Sequence, residues 1–339
     1  MAENIYKPEG FLIGTADNRE YTTSLAGLER AMAAGKILEA TAILCDSELK
    51  LTVDLSISGV KINAYIPKEE AVLGDGEIKD IAIITRVGKA VCFKVTSLER
   101  ERDGSVTAVL SRRAAQIECM HNYLMTLIRG DIIPAKITHL EHFGAFADIG
   151  CGIVSLLSID CISVSRIAHP KDRFIVGMPL KAVVKSIDYD TGRIYITHKE
   201  LLGTWQENAA MFNVGQTVAG IVRSVEDYGI FVELAPNLAG LAEYKDDIIP
   251  GQTAAVYIKN IIPDRMKIKL VLIDSYKGEL VPRRMDYHIT DGETHIDYWR
   301  YSPRGCAKVI ETNFMDAEDA EELRAFQTHT CVSKHVQNF

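Results

Sequence analysis

The sequence predicts a mostly β chain: three five-stranded barrels in tandem, joined by short helices, with a C-terminal hairpin/helix extension. Three observations carry this. First, GDIIPAKITHLEHFGAFADIG, from Gly130, returns as GQTVAGIVRSVEDYGIFVELA, from Gly215, an offset of 85 residues. That spacing is too long for a solenoid and suits small domains in series. Second, apolar residues alternate with period two. Ile133, Ala135 and Ile137 share one face and Lys136 and Thr138 the other, and Leu180, Ala182 and Val184 alternate with Lys181 and Lys185. Third, turn signals punctuate the strands, as where Asp190-Thr191-Gly192 leads into Arg193-Ile194-Tyr195-Ile196. Each unit reads as about five strands in roughly 60–75 residues, too few for a sandwich and enough for a small closed barrel.

Taken in order, residues 1–34 form an N-terminal segment with a helix at Leu25–Ala34, stopped by Gly35. Residues 35–113 form a weaker third copy. Its Val53-Asp54-Leu55 aligns with Ala147-Asp148-Ile149 and Val232-Glu233-Leu234, and Gly104 takes the place of Gly192. Residues 114–129 are a helical linker, part of a helix over 111–128 capped by Ser111, with Ile117, Met120, Leu124 and Leu127 on one face. The second barrel covers 130–200. A helical linker at 201–214 carries Trp205 as a packing anchor, and the third barrel covers 215–274. In the extension, 275–339, two short strands flank Asp291-Gly292, with Trp299 and the tyrosines packed on the third barrel. SPRGCAKVIETNF reads as a short helix, and the acidic end from Met315 as a solvated helix or frayed tail.

Composition narrows the function classes. With 47% apolar and 25% charged residues the chain is an ordinary soluble globular protein. No stretch reaches the roughly 18 apolar residues of a membrane span, and the acidic start lacks a signal core, so a cytoplasmic location without membrane contact is expected. The seven cysteines show no C-x-x-C spacing and read as reduced, mostly buried thiols. A net charge of −8 argues against binding polyanions by bulk charge. The units differ, however: basic and acidic residues number 9 and 8 over 129–200, but 6 and 8 over 213–274. There is no Walker loop, H-E-x-x-H or G-x-S-x-G. His139, His142 and Cys151 lack a fourth metal ligand, and Asp246-Asp247 reads as a solvated turn. No catalytic residue, metal site or cofactor is expected, and the chain is not read as an enzyme.

The segments HFGAFADIG, DYGIFVELA, VGMPLKAVVKSIDYDTGRIYITHKELLG and PGQTAAVYIKNIIPDRMKIKLVLID resemble the S-one motif. This is the RNA-binding OB-fold repeat of the largest protein of the bacterial small ribosomal subunit. The resemblance covers about 130–274 well and 35–113 loosely, and the whole chain is similar to a short, three-repeat member of that family. It implies single-stranded RNA, such as mRNA, stacked on Phe143 and Phe146 in the second barrel and on Tyr228 and Phe231 in the third. Arg193 and Lys267 would reach phosphates, and Asp188 matches an acidic position of the family's RNA-binding face. Residues three apart on a plain strand point to opposite faces, so the glycine between each pair is expected to mark a bulge or bend that re-aims one ring. The family often places a histidine where this chain has Ser158 and Glu243; serine still hydrogen-bonds a ribose or base edge, whereas glutamate repels phosphate. The first barrel has Leu49, Thr52 and Ser105 at the aromatic and basic positions and is expected to bind a protein surface, such as a ribosomal one, rather than RNA. The small ribosomal subunit is the implied partner. The competing expectation is a protein–protein adaptor or a regulator of RNA metabolism not stably bound to the ribosome.

Overall fold

The computed structural model describes residues 5–55, 57, 61–74, 78–277, 285–290 and 292–315. The first barrel is built from β1 (Leu38–Cys45), β2 (Leu51–Asp54), β3 (Ile62–Ile66), β4 (Ala90–Arg100) and β5 (Val106–Ser111). The second is built from β6 (Ile132–Glu141), β7 (Gly144–Asp148), β8 (Val154–Ser158), β9 (Pro179–Asp188) and β10 (Arg193–Thr197). The third is built from β11 (Thr217–Glu226), β12 (Gly229–Ala235), β13 (Leu238–Ala242), β14 (Thr253–Ile262) and β15 (Lys267–Tyr276). All three close in one cyclic order: first, second, third, fifth and fourth strand, with the third and fifth parallel. A shared order in a copy that lacks the signature aromatics shows that the apolar alternation, not the binding residues, specifies the barrel.

The chain divides into two compact units, one of residues 1–127, 134–138 and 147–155, the other of 128–133, 139–146 and 156–339. In the first unit, α1 (Ala16–Thr22) starts at Thr15, whose hydroxyl accepts from the Asn18 amide. The second helix, α2 (Leu25–Ala34), starts at the Ser24 cap and stops at Gly35, whose φ of 62° suits glycine. A short α3 (Asp80–Ile84) precedes β4. The next helix, α4 (Arg112–Asn122), starts at Ser111 as the sequence suggests but buries Arg112, Ala115, Gln116 and Cys119 rather than Ile117 and Met120. The reason is polar. Arg112 makes a two-pronged ion pair with Glu9, at 2.6 and 3.1 Å, and Gln116 donates to the Cys151 carbonyl. The Glu9 amide in turn donates to Asp148 at 2.7 Å. A helix whose hidden stripe mixes Arg112 and Gln116 with Ala115 and Cys119 gives little hydrophobic period to read.

In the second unit, α5 (Trp205–Ala209) begins with a capping box between Thr204 and Glu207 and buries Trp205 among the core residues of the third barrel. The extension departs from expectation. Its strands are β16 (Tyr298–Arg300) and β17 (Glu311–Asn313), paired around the loop 301–310, not around Gly292. The segment 302–314 forms that loop and β17 instead of a helix. Asp291 and the acidic end beyond Met315 lie outside the described residues. Trp299 and Tyr301 are buried against the third barrel, as the sequence predicts.

Candidate nucleic-acid interface

In the third barrel, Glu226 pairs with Gly229, leaving Asp227 and Tyr228 as a two-residue hairpin loop. The same arrangement puts His142 and Phe143 at the tip between β6 and β7. The first ring of each pair therefore belongs to a turn, not to a strand. That is how rings three residues apart come to meet. Phe143 and Phe146 are edge to face with centroids 6.0 Å apart and planes at 88°; Tyr228 and Phe231 repeat this at 6.1 Å and 87°. The turn rings are open to solvent, 56% for Phe143 and 70% for Tyr228, whereas Phe146 and Phe231 are half-buried supports.

The intervening glycine makes the close turn possible. A Cβ on Gly144 would stand 2.5 Å from the Leu157 carbonyl oxygen, and one on Gly229 2.4 Å from that of Ala242. Neither gap admits a methyl group. Gly229 also has a φ of 149°. The aromatic-Gly-x-Phe pattern is thus a steric requirement of the hairpin tip as well as a pair of stacking rings.

The second barrel adds histidines to this surface. His139 stacks on Phe146 at 6.3 Å and meets Glu141 at 2.7 Å. His142 meets His169 edge-on at 4.6 Å. The structure places the two motif histidines with aromatic partners, and among the described residues no cluster suited to a metal ion is present. His169 lies some distance along the sequence from the motif and has no signal there.

Arg193 opens β10 and is exposed, opposite Asp188 in the β9–β10 ladder. Asp188 is occupied locally. It accepts from the Thr191 hydroxyl at 2.6 Å and from the amides of Asp190 and Thr191, and these bonds hold its carboxyl below the usual range. Ser158 is half-buried at the end of β8, and its hydrogen bond to Asp160 lowers that carboxyl. Several cations of the second barrel are committed elsewhere. Lys136 donates to the Glu9 carbonyl, and Arg173 is buried on Glu233.

In the third barrel Lys267 is exposed at the start of β15. The register, however, aligns Phe231 with Leu241 and Leu241 with Lys269, so Lys269 shares the row of the ring. Tyr195 takes the matching place beside Leu156 in the second barrel. Spacing along the chain gives no sign of either residue, because the row is set by cross-strand register. Acidic groups crowd this tip. Asp246, then Asp227 and Asp247, push the pKa of the exposed Tyr244 phenol above its ordinary value and so oppose its ionisation.

The corresponding row of the first barrel is Thr52, Tyr65 and Val109. An aromatic ring is present after all, one strand over from the expected position. Its face is covered by its own cation, with Lys50 Nζ 3.5 Å from the ring centroid. Ser105 is tied to Asp103 and Leu49 sits in a turn with φ of 63°.

Small closed barrels that present an aromatic ring at a hairpin tip are an arrangement suited to stacking unpaired bases. Comparison with known families agrees: residues 126–199 match the S1 RNA binding domain. The small ribosomal subunit protein bS1 of Staphylococcus aureus is 30% identical over 209 residues, which is 57% of this chain and 52% of that protein. A bS1 homolog of Bacillus cereus is 26% identical over 249 residues, 70% of this chain and 62% of that protein. Among solved structures, a Streptococcus pneumoniae multidomain protein with nucleic acid binding domains aligns over 71% of this chain and 74% of its own, at 15% identity and a TM-score of 0.24. Residues 126–199 thus carry the likeness to the S1 RNA binding domain, and a little over half of the chain is similar to proteins named small ribosomal subunit protein bS1. The chain spans about half the length of the S. aureus relatives it matches.

Proposed function

We propose that the chain holds single-stranded mRNA on the hairpin tips of its second and third barrels and acts in translation with the small ribosomal subunit, in the cytoplasm. The observation that carries this is the recurrence of one exposed edge-to-face ring pair, at 6.0 and 6.1 Å, on two barrels of the same topology. Unpaired bases present flat apolar faces to such rings, and each stack contributes roughly 1–3 kcal/mol without demanding a sequence. The likeness to proteins named small ribosomal subunit protein bS1 supports the ribosomal part. The RNA face reads as Phe143, Phe146, Ser158, Asp188 and Arg193 in the second barrel and Tyr228, Phe231 and Lys267 in the third.

The test is binding of a labelled unstructured RNA by the full chain at moderate salt, beside a duplex of the same length. The single strand binds and the duplex competes poorly. Equal affinity for both would remove the stacking basis.

The first barrel supports a second role. Its ring is covered, and it exposes Ile43, Leu44, Ile81 and Ile84. We assign it protein contact with the ribosomal subunit. Sedimentation with purified small subunits, with Ile81→Asp and Ile84→Asp as the surface variant, is expected to show loss of co-sedimentation with RNA affinity unchanged. Loss of RNA affinity with intact co-sedimentation contradicts the assignment.

A further inference from the structure

The C-terminal extension builds a cavity of about 230 Å³ whose lining is mostly polar and cationic. Its origin is the alternation of one strand. Trp299 and Tyr301 turn into the core of the third barrel, and the Tyr301 hydroxyl donates to the Asn237 carbonyl. Period two then sends Tyr298 and Arg300 to the opposite side. The Trp205 amide donates to the Tyr301 carbonyl at 3.0 Å, which brings Thr204 and Gln206 to the rim. A turn at Pro303, closed by the Cys306 amide and relaxed by Gly305 at φ of 84°, presents Arg304 from the remaining side.

The cavity lining itself holds two arginines and no carboxylate. Arg300 Nε donates to the Ser302 carbonyl, which leaves its terminal nitrogens for the Tyr298 hydroxyl and for the cavity. Arg304 is exposed. Among the described residues neither arginine has a carboxylate within ion-pair distance. Glu311, opposite Arg300 in the β16–β17 ladder, and Glu207 lie outside the lining, where Glu311 accepts from the Tyr298 hydroxyl at 2.6 Å and Glu207 from the Thr204 amide. Two arginines lining one cavity with hydroxyl and amide donors match a phosphate oxygen set better than a neutral ligand.

We propose that this cavity binds a backbone phosphate of single-stranded RNA. The inference rests on the RNA-binding reading and adds a contact outside the barrel faces. The test uses the full chain, a labelled unstructured RNA and a salt series, with Arg300→Gln, Arg304→Gln and the double variant, each with a thermal melt. The double variant is expected to bind about 10-fold more weakly, each lost charged contact being worth about threefold at a partly exposed site. Its log–log salt slope becomes shallower by about 0.7, the value for one phosphate contact on a single strand. Because the Arg304 side chain is exposed and unpaired with any described carboxylate, Arg304→Gln carries the test, with a smaller flattening of the slope in the same direction, if the Arg300 variant melts early. A nucleoside monophosphate titrated into the same proteins separates the sources of phosphate. If it binds the parent chain and not the double variant while RNA affinity and slope stay the same, the site serves a free nucleotide and the proposal is overturned. Unchanged binding of both probes overturns it as well. In either case RNA binding that still depends on Phe143 and Phe146 shows that the underlying reading survives; no RNA binding by the parent chain overturns both.

Discussion

Phe143 and Phe146 meet edge to face because one ring rides a two-residue turn and the other rises from the strand after it. Neither ring could be placed so by a continuous strand. The exposed ring is open to a base, and the half-buried one fixes its attitude. The glycine between them is the element that cannot be replaced.

Gly144→Ala and Gly229→Ala are therefore expected to damage their own tips only. The new methyl would meet a carbonyl oxygen at 2.5 or 2.4 Å, so the turn must open or the adjacent strand must shift. A cost of about 1–3 kcal/mol in stability is expected. RNA affinity should fall at the altered barrel even in the melt-corrected protein. Chemical denaturation beside an RNA titration reads both; unchanged stability and affinity would show that the tip accommodates a methyl group without strain.

Salt dependence should be shallow. Lys136 and Arg173 are bound internally, and the exposed cations at the second tip are few. With about 2–4 phosphates contacted, the log–log slope should lie between about −1.5 and −3. Arg193→Ala is expected to weaken binding and flatten the slope, and Lys267→Ala to do so less. A slope steeper than about −5 would mean that charge, not stacking, dominates.

Stability of the first unit should depend on pH near neutrality. Glu39 accepts from the amides of Gly10, Leu12 and Ile13 through one oxygen, while its other oxygen is buried without a partner. Burial pushes this carboxyl up to about 7, against those amide bonds. A raised acid stabilises the fold in its protonated form. The contribution is full below its unfolded value of about 4.5 and is lost as pH rises through about 7. A carboxyl whose titration midpoint moves by one pH unit on folding alters stability by about 1.4 kcal/mol, so the effect should be visible in melts between about pH 5 and about pH 8. Glu39→Gln should reduce the slope over that range. An unchanged slope in the variant would assign the dependence to another group, such as Asp148, which burial and the Glu9 charge also raise to about 7.

Much of this architecture is legible in the sequence, for identifiable reasons. Alternation within β6 and β9, the Ser111 cap, the Gly35 stop and the repeated aromatic-Gly-x-Phe pattern are local signals, and each produces the feature it implies. The features that escape the sequence are non-local. The α4 stripe can bury Arg112 because Glu9, remote in sequence, pairs with it. The extension's hairpin lies later than its turn residues suggest, because burial of Trp299 and Tyr301 fixes the strand. Tyr65, Tyr195 and Lys269 join their rows through cross-strand register, which no spacing along the chain reports. Asp188 matches a binding position yet closes its own turn.

RNA is expected on the hairpin-tip rings, chiefly those of the second barrel, where fewer carboxylates oppose phosphate. The direct measurement is titration of a labelled unstructured RNA with the full chain and with Phe143→Ala, Phe146→Ala, Tyr228→Ala and Phe231→Ala, each checked by a melt. The second-barrel variants are expected to lose about 1–3 kcal/mol of binding. The third-barrel variants should lose less, because a weaker second site contributes mainly through effective concentration. Folded Phe143 and Phe146 variants that keep full affinity, while the Tyr228 and Phe231 variants lose it, would contradict the account.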